Sequence, residues 1–550
     1  MKTLKGYKVK ILSEDSSDII KTILENRHID ITYAWDYFEP KMSKLHDPFL
    51  FAGMEKAIER ILETINSQER VVVFGDYDVD GVSSTALLSK FLASIGINIS
   101  YRLPHRVDDG YGLKKYFIDE LAEKEVKLII TVDCGSRDTD VIEYAKSKGI
   151  DIIITDHHFT SDPISDQVIA YINPNSPGCE YPFKELSGSG VAFKLLCGIA
   201  SKLYDKRKYE KVILEYVDMA SLGTVADCMP LVDENRIITF FGLQGLRTST
   251  SAGLRCLIEN IDDKDLDGDT IGFRIGPIIN AAGRMDTPYR ALKFLLAKEE
   301  LVKEQLGEIE ELNKQRRKLT ADFFKKALEY VDENEHILFY NSEEIEHGII
   351  GLVSGNVCQK FNKPCIVLKD LGDILVASCR SPEYFNVVQF LGQFEEYFLH
   401  FGGHSQAAGF TISKEKYEGF RELVNGKAKE IIENIDKTKI LEVDSILEVS
   451  QINFGLLNKI LKMKPFGIGN PKPVFIIKDF LFSAVNLIGA DKKHLKFVYN
   501  DSSISFVAFG FGEYYDQIKN ASKVDLIGEI ERNVWNGKEF LNFYVKDMVI

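Results

Sequence analysis

The sequence contains no CxxC pair, although eight of its 550 residues are cysteines. We therefore expect neither a zinc ribbon nor a thioredoxin-like redox motif. A chain of this length buries large hydrophobic cores and needs no disulfides for stability. The cysteine usage thus indicates a reducing compartment, and we expect the protein to be cytoplasmic.

The sequence also lacks long apolar runs and an excess of positive charge. No stretch of 18 or more apolar residues occurs, so we expect no membrane span. No long apolar run follows the first lysines, so we expect no signal peptide. Acidic residues outnumber basic ones by 83 to 68, which gives a net charge of −15. This balance counts against coating of nucleic acid by bulk attraction, so any nucleic-acid function must depend on a local site.

Short Val/Ile-rich runs alternate with helical patterns from Glu69 onward, which predicts an α/β domain with a parallel, doubly wound sheet. A highly charged helical pattern follows and predicts a long linker helix. A smaller α/β domain comes next, and short, evenly spaced strands then predict an all-β module. The predicted segments are an N-terminal helical segment (1–68), the α/β domain (69–287), the linker helix (288–332), the smaller α/β domain (333–437) and the β module (438–550).

Acidic and histidine residues follow three strands of the first predicted sheet. These strands lead into GDYDVDG (75–81), TVDCG (131–135) and TDHH (155–158). Ligands of open α/β sheets bind at the carboxyl ends of the strands, so we expect these side chains to converge. Asp227, at the end of a predicted helix, is placed to join them.

These residue types suit divalent metal ions. Carboxylate oxygens are the ligands of hard cations, and imidazole suits manganese or iron-like metals. Carboxylates crowded together without a metal would repel one another. Two ions about 3.5–4 Å apart suit displacement at phosphorus, because they activate a water and stabilise the leaving oxygen.

Each motif alone has a simpler interpretation. The aspartates of GDYDVDG could belong to a loop rich in turn formers, and Asp133 could be a helix cap. The motif also resembles the start of an EF-hand, but the twelfth position from Asp76 is Leu87 rather than glutamate, which excludes that loop. Two adjacent histidines at a strand end are harder to explain without a function. The joint pattern favours a metal site.

In this order the motifs resemble those of the DHH phosphoesterase family, and the resemblance extends over nearly the whole chain. It implies a parallel-sheet DHH domain, a DHH-associated domain and a C-terminal OB-fold. It also implies binding of Mn²⁺ or Mg²⁺, with two ions. The metal ligands that it implies are Asp78, Asp80, Asp133, His157 and Asp227. Asp76 and His158 match catalytic positions that support metal binding and contact the scissile phosphate.

One position departs from the family pattern. Many relatives have a histidine four residues before Asp78, where this chain has Phe74. Phenylalanine cannot bind a metal, so one site is expected to be weaker or completed by water, which leaves the metal preference open.

Three later segments resemble the RecJ-type exonucleases in particular. NAAGRM (280–285) resembles a segment that places an arginine, here Arg284, near the strand. FGGHSQAAGF (401–410) resembles the motif whose backbone amides and histidine hold phosphate, although a glycine turn is the alternative. PFGIGNPKPVF (465–475) resembles the linker before the OB-fold. The phosphate-binding residues of the second segment would be Gly402, Gly403 and His404.

Further residues are assigned to nucleic-acid binding. Arg106 and Tyr111 contact the nucleotide by resemblance, with a surface loop as the alternative. Arg380 and Ser378 suit a phosphate clamp, which together with Arg284 would hold a 5′-phosphate. Trp535 is predicted at a hairpin turn, where it would stack on a base.

The resemblance implies a metal-dependent 5′-to-3′ exonuclease that degrades single-stranded DNA to 5′-mononucleotides in DNA repair and recombination. The implied partners are single-stranded DNA, a RecQ-type helicase and a single-strand-binding protein, and we expect a monomer. Two alternatives stay open. One is a DHH nanoRNase or small-nucleotide phosphatase, and the other is a non-catalytic single-strand-binding scaffold.

Overall fold

A computed structural model describes residues 1–160, 165–261, 265–499 and 504–550. Its strands are β1 (Lys8–Ser13), β2 (Arg70–Gly75), β3 (Asn98–Arg102), β4 (Val126–Val132), β5 (Asp151–Thr155), β6 (Ala170–Ile172), β7 (Leu338–Ser342), β8 (Cys365–Asp370), β9 (Ile374–Arg380), β10 (Phe398–His404), β11 (Ala407–Ser413), β12 (Ile440–Ile446), β13 (Phe475–Phe480), β14 (Ala484–Ile488), β15 (His494–Val498), β16 (Ile504–Ala508), β17 (Val524–Trp535) and β18 (Lys538–Val549).

The helices surround three separate sheets. They are α1 (Ile19–Asn26), α2 (Ala34–Phe38), α3 (Met54–Ser67), α4 (Val79–Ser94), α5 (Lys115–Glu123), α6 (Thr139–Ser147), α7 (Gly188–Leu203), α8 (Lys206–Ala226), α9 (Asp233–Gly245), α10 (Ala252–Ile261), α11 (Gly276–Met285), α12 (Pro288–Leu295), α13 (Val302–Tyr330), α14 (Ile350–Phe361), α15 (Val387–Leu391), α16 (Lys414–Ile432), α17 (Phe454–Leu461) and α18 (Tyr515–Lys519). In the described part of the chain, no helix is both long and apolar enough to cross a bilayer.

The chain forms two compact units. The larger unit comprises His46–Met229 and Asp233–Asp436. The smaller unit comprises Met1–Leu45, Pro230–Val232 and Lys437–Ile550.

The first sheet of the larger unit is parallel throughout, in the order β3-β2-β4-β5-β6. Its β2 strand is buried from its second residue onward, as expected for a strand covered on both faces. Phe74 and Val72 pack with Phe117 and Ile118 of α5. On this sheet the prediction of a parallel α/β domain is confirmed.

The second sheet of the larger unit is mixed, in the order β10-β11-β9-β8-β7, with only β7 and β8 parallel. Alternating strand residues face two different cores. Phe339 and Ile366 join α16 residues such as Phe420, whereas Leu338 and Val367 pack with α14. This is the predicted smaller α/β domain.

The smaller unit contains an eight-stranded sheet in the order β1-β12-β13-β17-β18-β16-β15-β14. Its core includes Phe475, Phe497, Phe506 and Phe543. This unit also contains strand β14 and the helices α17 and α18, which were not predicted from the sequence.

Two predicted segments need correction. The N-terminal segment (1–68) is not wholly helical, because β1 pairs in parallel with β12. The residues of β1 are alternately exposed and partly buried, so its sequence lacks the buried apolar run that marks a strand. Its partner strand lies more than 400 residues away in the sequence. The predicted linker helix (288–332) is two helices, α12 and α13, which a turn separates. No glycine or proline marks residues 296–301, so composition gave no sign of the break.

Candidate metal centre and phosphate-binding site

The predicted metal ligands meet at one edge of the parallel sheet. Strands β2, β4 and β5 are neighbours, so their carboxyl ends bring together the three motifs that follow them. Asp227 is the C-cap of α8 and reaches the same place. Nε2 of His157 lies 3.2 Å from Asp133 Oδ1, 3.6 Å from Asp227 Oδ2 and 4.0 Å from Asp80 Oδ2.

A second group of possible ligands adjoins the first. Oxygens of Asp76, Asp78 and Asp133 lie within 4.8 Å of one another, and Asp133 thus faces both groups. Asp133 Oδ1, Asp76 Oδ1 and His157 Nε2 are buried, yet none has a hydrogen-bond partner among the described residues. Buried polar atoms without a partner are costly, so these atoms fit a bound metal ion.

The electrostatics of the cluster also fit a metal. Burial raises the pKa of Asp133 well above its usual range, and the negative charges of Asp80, Asp78 and Asp227 raise it further. Burial and the charges of Asp80 and Asp78 likewise raise the pKa of Asp227 to about 8. The metal-free cluster therefore resists full ionisation, and divalent cations would relieve this repulsion.

Asp80 is held by the start of α7. Its Oδ2 accepts a hydrogen bond from Gly188 N at 2.7 Å, and its Oδ1 accepts one from Ser189 N at 2.8 Å. An added Cβ at Gly223, on α8, would overlap both Asp80 Oδ1 and Ser189 Oγ. Gly188 and Ser189 were not predicted to contact the site, although the SGSG run at the start of α7 is a signal that could have indicated them.

Asp156 orients His158. Its Oδ1 accepts hydrogen bonds from the backbone N–H groups of His157 (2.7 Å) and His158 (3.1 Å) and lies 2.8 Å from His158 Nδ1. Burial alone would lower the pKa of His158, but the hydrogen bond and charge of Asp156 raise it to about 9. Asp156 belongs to the predicted TDHH motif (155–158), but no role was predicted for it.

Tyr111 lies behind these groups. Its hydroxyl donates to the backbone oxygen of Asp133 at 3.1 Å and lies 3.1 Å from His158 Nδ1. The side chain therefore supports the metal centre as well as facing the adjoining cavity.

Four arginines lie near one another, and two of them, Arg106 and Arg284, interact electrostatically with aspartates of the metal centre. Nη1 of Arg380 donates to Ser378 Oγ at 3.2 Å, and Nη1 of Arg284 donates to the backbone oxygen of Gly348 at 3.1 Å. The Arg106 guanidinium lies 4.0 Å from the centre of the Tyr77 ring. Burial, followed by the charges of Arg106, Arg380 and Arg316, lowers the pKa of Arg284 to about 9. Such a concentration of positive charge suits phosphate.

A cavity of 680 Å³ is lined by residues of both α/β domains of the larger unit. Gly402, Gly403 and His404 line it, and the His404 ring lies 6.4 Å from that of His158. Both glycines lie within β10, so they do not form the turn that was the alternative. An added Cβ at Gly403 would overlap the backbone of Ala407 and Ala408. The cavity is also lined by Arg137, His347 and His400, which were not predicted from the sequence.

Two predicted positions lie outside this cluster. Phe74 is buried in the core against Phe117, with ring centres 5.4 Å apart, and offers no ligand. Trp535 belongs to the smaller unit, where it ends β17 and is 68% exposed. Asn536 and Gly537 follow it with φ values of 50° and 73°, which confirms the predicted hairpin turn.

Family models match three parts of the chain. The DHH family, N-terminal domain, matches residues 70–224, the DHHA1 domain matches residues 334–430, and the RecJ OB domain matches residues 443–547. These matches confirm the predicted fold class.

Two similar proteins and two similar structures cover 70–99% of the chain. The single-stranded-DNA-specific exonuclease RecJ of Bacillus subtilis is 33% identical, over 99% of this chain and 70% of the relative. The exonuclease of the same name from Escherichia coli is 30% identical, over 81% of this chain and 80% of the relative. The crystal structure of RecJ with Mn²⁺ from Thermus thermophilus shares the fold at a TM-score of 0.83 and 24% identity. The match covers 99% of this chain and 79% of that structure's chain. A crystal structure of exonuclease RecJ bound to manganese is 29% identical at a TM-score of 0.62. The match covers 70% of this chain and 97% of that structure's chain. This chain belongs to the RecJ family of DHH phosphoesterases.

Proposed function

We propose that this protein is a metal-dependent exonuclease that degrades single-stranded DNA from the 5′ end and releases 5′-mononucleotides. The observation that carries the proposal is the pairing of two sites in one unit. A buried carboxylate–histidine cluster with unpartnered ligand atoms adjoins a group of arginines that suits phosphate. The names of the relatives support single-stranded DNA as the substrate.

Two divalent ions, Mn²⁺ or Mg²⁺, are the proposed cofactors, and manganese in a related structure supports this choice. When bound, such ions activate water and neutralise charge at phosphorus. The ligand atoms that meet in the cluster also support two ions, because Asp133 faces both groups. The residues proposed to hold the ions are Asp76, Asp78, Asp80, Asp133, His157 and Asp227.

The residues of this chain supply orientation and hydrogen bonds. Asp156 engages Nδ1 of His158, which leaves Nε2 of that ring to donate to an oxygen of the scissile phosphate. His404 and the backbone around Gly402 line the same cavity and are proposed to bind the phosphate from the opposite side. Donors placed in advance stabilise the charge that develops in the transition state.

The proposed polarity depends on the clamp formed by Arg284, Ser378 and Arg380. A 5′-phosphate held there would place the first phosphodiester bond beside the metal centre. Arg106, which stacks on Tyr77, adds positive charge to the clamp. We further predict that the protein is a cytoplasmic monomer. Its predicted partners are a RecQ-type helicase and a single-strand-binding protein.

The test is degradation of a long single-stranded DNA labelled at its 3′ end, in Mn²⁺ or Mg²⁺, with and without EDTA. We expect labelled fragments that shorten from the 5′ end, and no cleavage with EDTA or in the Asp133→Ala, His157→Ala double variant. Cleavage confined to dinucleotides would favour a nanoRNase instead. Binding without any cleavage would favour the scaffold.

Replacing Arg380 with glutamine is expected to reduce the preference for 5′-phosphorylated strands. Arg380 supplies charge-assisted hydrogen bonds to the proposed 5′-phosphate, each worth about 1.5–3 kcal/mol, so the preference should fall about tenfold or more. The measurement compares kcat/KM for strands that end in a 5′-phosphate and a 5′-hydroxyl. Arg317→Gln, an exposed arginine on α13, is the control and should keep the preference. An unchanged preference in Arg380→Gln would contradict the clamp.

Replacing Trp535 with alanine is expected to weaken binding of single strands. The exposed indole at the β17–β18 turn is proposed to stack on a base, which is worth about 1–3 kcal/mol. Fluorescence anisotropy with a long oligothymidylate in EDTA measures the loss. Leu481→Ala, another exposed apolar side chain of the smaller unit, is the control. Equal affinity of the tryptophan variant and the unmodified protein would exclude this role.

A further inference from the structure

Arg284 also lines a second, smaller cavity of 120 Å³, and the charge of the clamp residue Arg380 acts on the same guanidinium. The cavity adjoins a π-helix (Thr270–Ile275), a rare element that often marks functional sites. We call this cavity the Arg316 pocket. Its lining residues are Ala226, Gly272, Gly276, Pro277, Asn280, Arg284, Arg316 and Leu352.

The polar lining of the Arg316 pocket carries positive charge without a carboxylate. Nε and Nη2 of Arg316 donate to Asn313 Oδ1, at 3.1 and 2.9 Å, which leaves its remaining nitrogen for a ligand. Among the described residues, neither Arg316 nor Arg284 forms an ion pair with a carboxylate. Asn280 Oδ1 is buried without a hydrogen-bond partner there, and rotation of this amide would present its NH₂ group to an anion.

Arg284 is shared between this pocket and the clamp. It lines the Arg316 pocket, while the charges of both Arg380 and Arg316 act on it. One guanidinium between two anion sites suits two linked phosphates, because its planar fork can donate to both. A water needs roughly 10–15 Å³ of such a cavity, so there is room for several waters or for one phosphate group.

We propose that the Arg316 pocket binds the second phosphate of a DNA strand that ends in a 5′-di- or triphosphate, while the clamp holds the first. The inference rests on the proposed function, since it assumes that the strand end enters the clamp. The enzyme would then accept strands whose first nucleotide still carries a 5′-di- or triphosphate.

The test measures the affinity of the full chain in EDTA, at constant ionic strength, for three forms of one oligothymidylate. The forms end in a 5′-hydroxyl, a 5′-monophosphate and a 5′-triphosphate. We expect the triphosphate to bind about tenfold more tightly than the monophosphate, the gain from one or two charge-assisted hydrogen bonds. Arg316→Gln should remove that gain and keep the difference between monophosphate and hydroxyl. Arg317→Gln should keep both.

A second variant guards against a folding defect in the first. Asn280→Asp adds a negative charge to the pocket and should also remove the triphosphate gain while monophosphate binding persists. Equal binding of triphosphate and monophosphate by the unmodified protein would overturn the inference, as would equal losses in Arg316→Gln and Arg317→Gln. Free dTMP is the probe for the other source of phosphate. If Arg316→Gln weakens dTMP binding while no triphosphate gain exists, the pocket holds a free nucleotide and the strand-end assignment is wrong.

The same measurements separate failure of the pocket assignment from failure of the proposed function. Failure to bind any of the three strands would contradict the proposed function itself. Strand binding with a preference for monophosphate over hydroxyl, but with no triphosphate gain, would leave that function standing and reject the pocket.

Discussion

Replacing Asp133 with asparagine is expected to lower the rate of DNA hydrolysis about a thousandfold, which corresponds to ~4 kcal/mol in the barrier. Asp133 faces both groups of ligand atoms, so one substitution weakens both proposed metal sites. Asparagine keeps the shape of the side chain. It also tolerates the left-handed backbone at this position, where φ is 62°. The loss should therefore come from the missing charge and not from misfolding.

Thermal unfolding provides a second readout of the same variant. In EDTA, Asp133→Asn should melt at a higher temperature than the unmodified protein, because burial and the neighbouring carboxylates raise the pKa of Asp133 and make its ionised form costly in the folded state. With saturating Mn²⁺ the order should reverse, since the unmodified protein gains more from binding. Asp119→Asn, which removes an exposed carboxylate 2.8 Å from Lys148, is the control and should leave activity within twofold. Activity of Asp133→Asn within tenfold of the unmodified protein would argue against the metal centre.

Replacing Gly223 with alanine is expected to reduce activity at least a hundredfold by displacing Asp80. Gly223 lies on α8 where an added Cβ would overlap Asp80 Oδ1 and Ser189 Oγ. Alanine favours helix by about 1 kcal/mol over glycine, but the overlap should cost about 1–3 kcal/mol. The measurements are the affinity for Mn²⁺ by calorimetry and the hydrolysis rate.

Gly307→Ala provides the matched control for this substitution. Gly307 also lies inside a helix, α13, and nothing stands within 4 Å of its added Cβ. This variant should be slightly more stable and fully active. If Gly223→Ala bound Mn²⁺ as tightly as Gly307→Ala, the contact with Asp80 would not matter for metal binding.

The parallel sheet and its metal cluster could be predicted because both have short-range signals. Strands β2, β4 and β5 of the sheet are buried apolar runs, and the motif that follows each of them contains ligands. The rule that ligands bind at the carboxyl ends of parallel strands then brings distant motifs together. Asp227 was harder to place from the sequence, since the position of its helix α8 depends on packing against other helices, α9, α7 and α4 among them.

The features that escaped prediction depend on contacts between distant parts of the chain. Nothing near β1 specifies that it pairs with β12. The backbone amides of Gly188 and Ser189 carry no side-chain signal for binding Asp80. Arg316 occupies a charged helix whose pattern equally fits a solvated surface, so only the structure shows that it lines a cavity.

Calorimetric titration of Mn²⁺ into the metal-free protein, and in parallel into Asp133→Asn, tests the metal centre most directly. We expect two ions to bind per chain of the unmodified protein, with affinity lost or greatly reduced at both sites in the variant. Absence of Mn²⁺ binding by the unmodified protein, or identical titrations for the two proteins, would contradict this expectation.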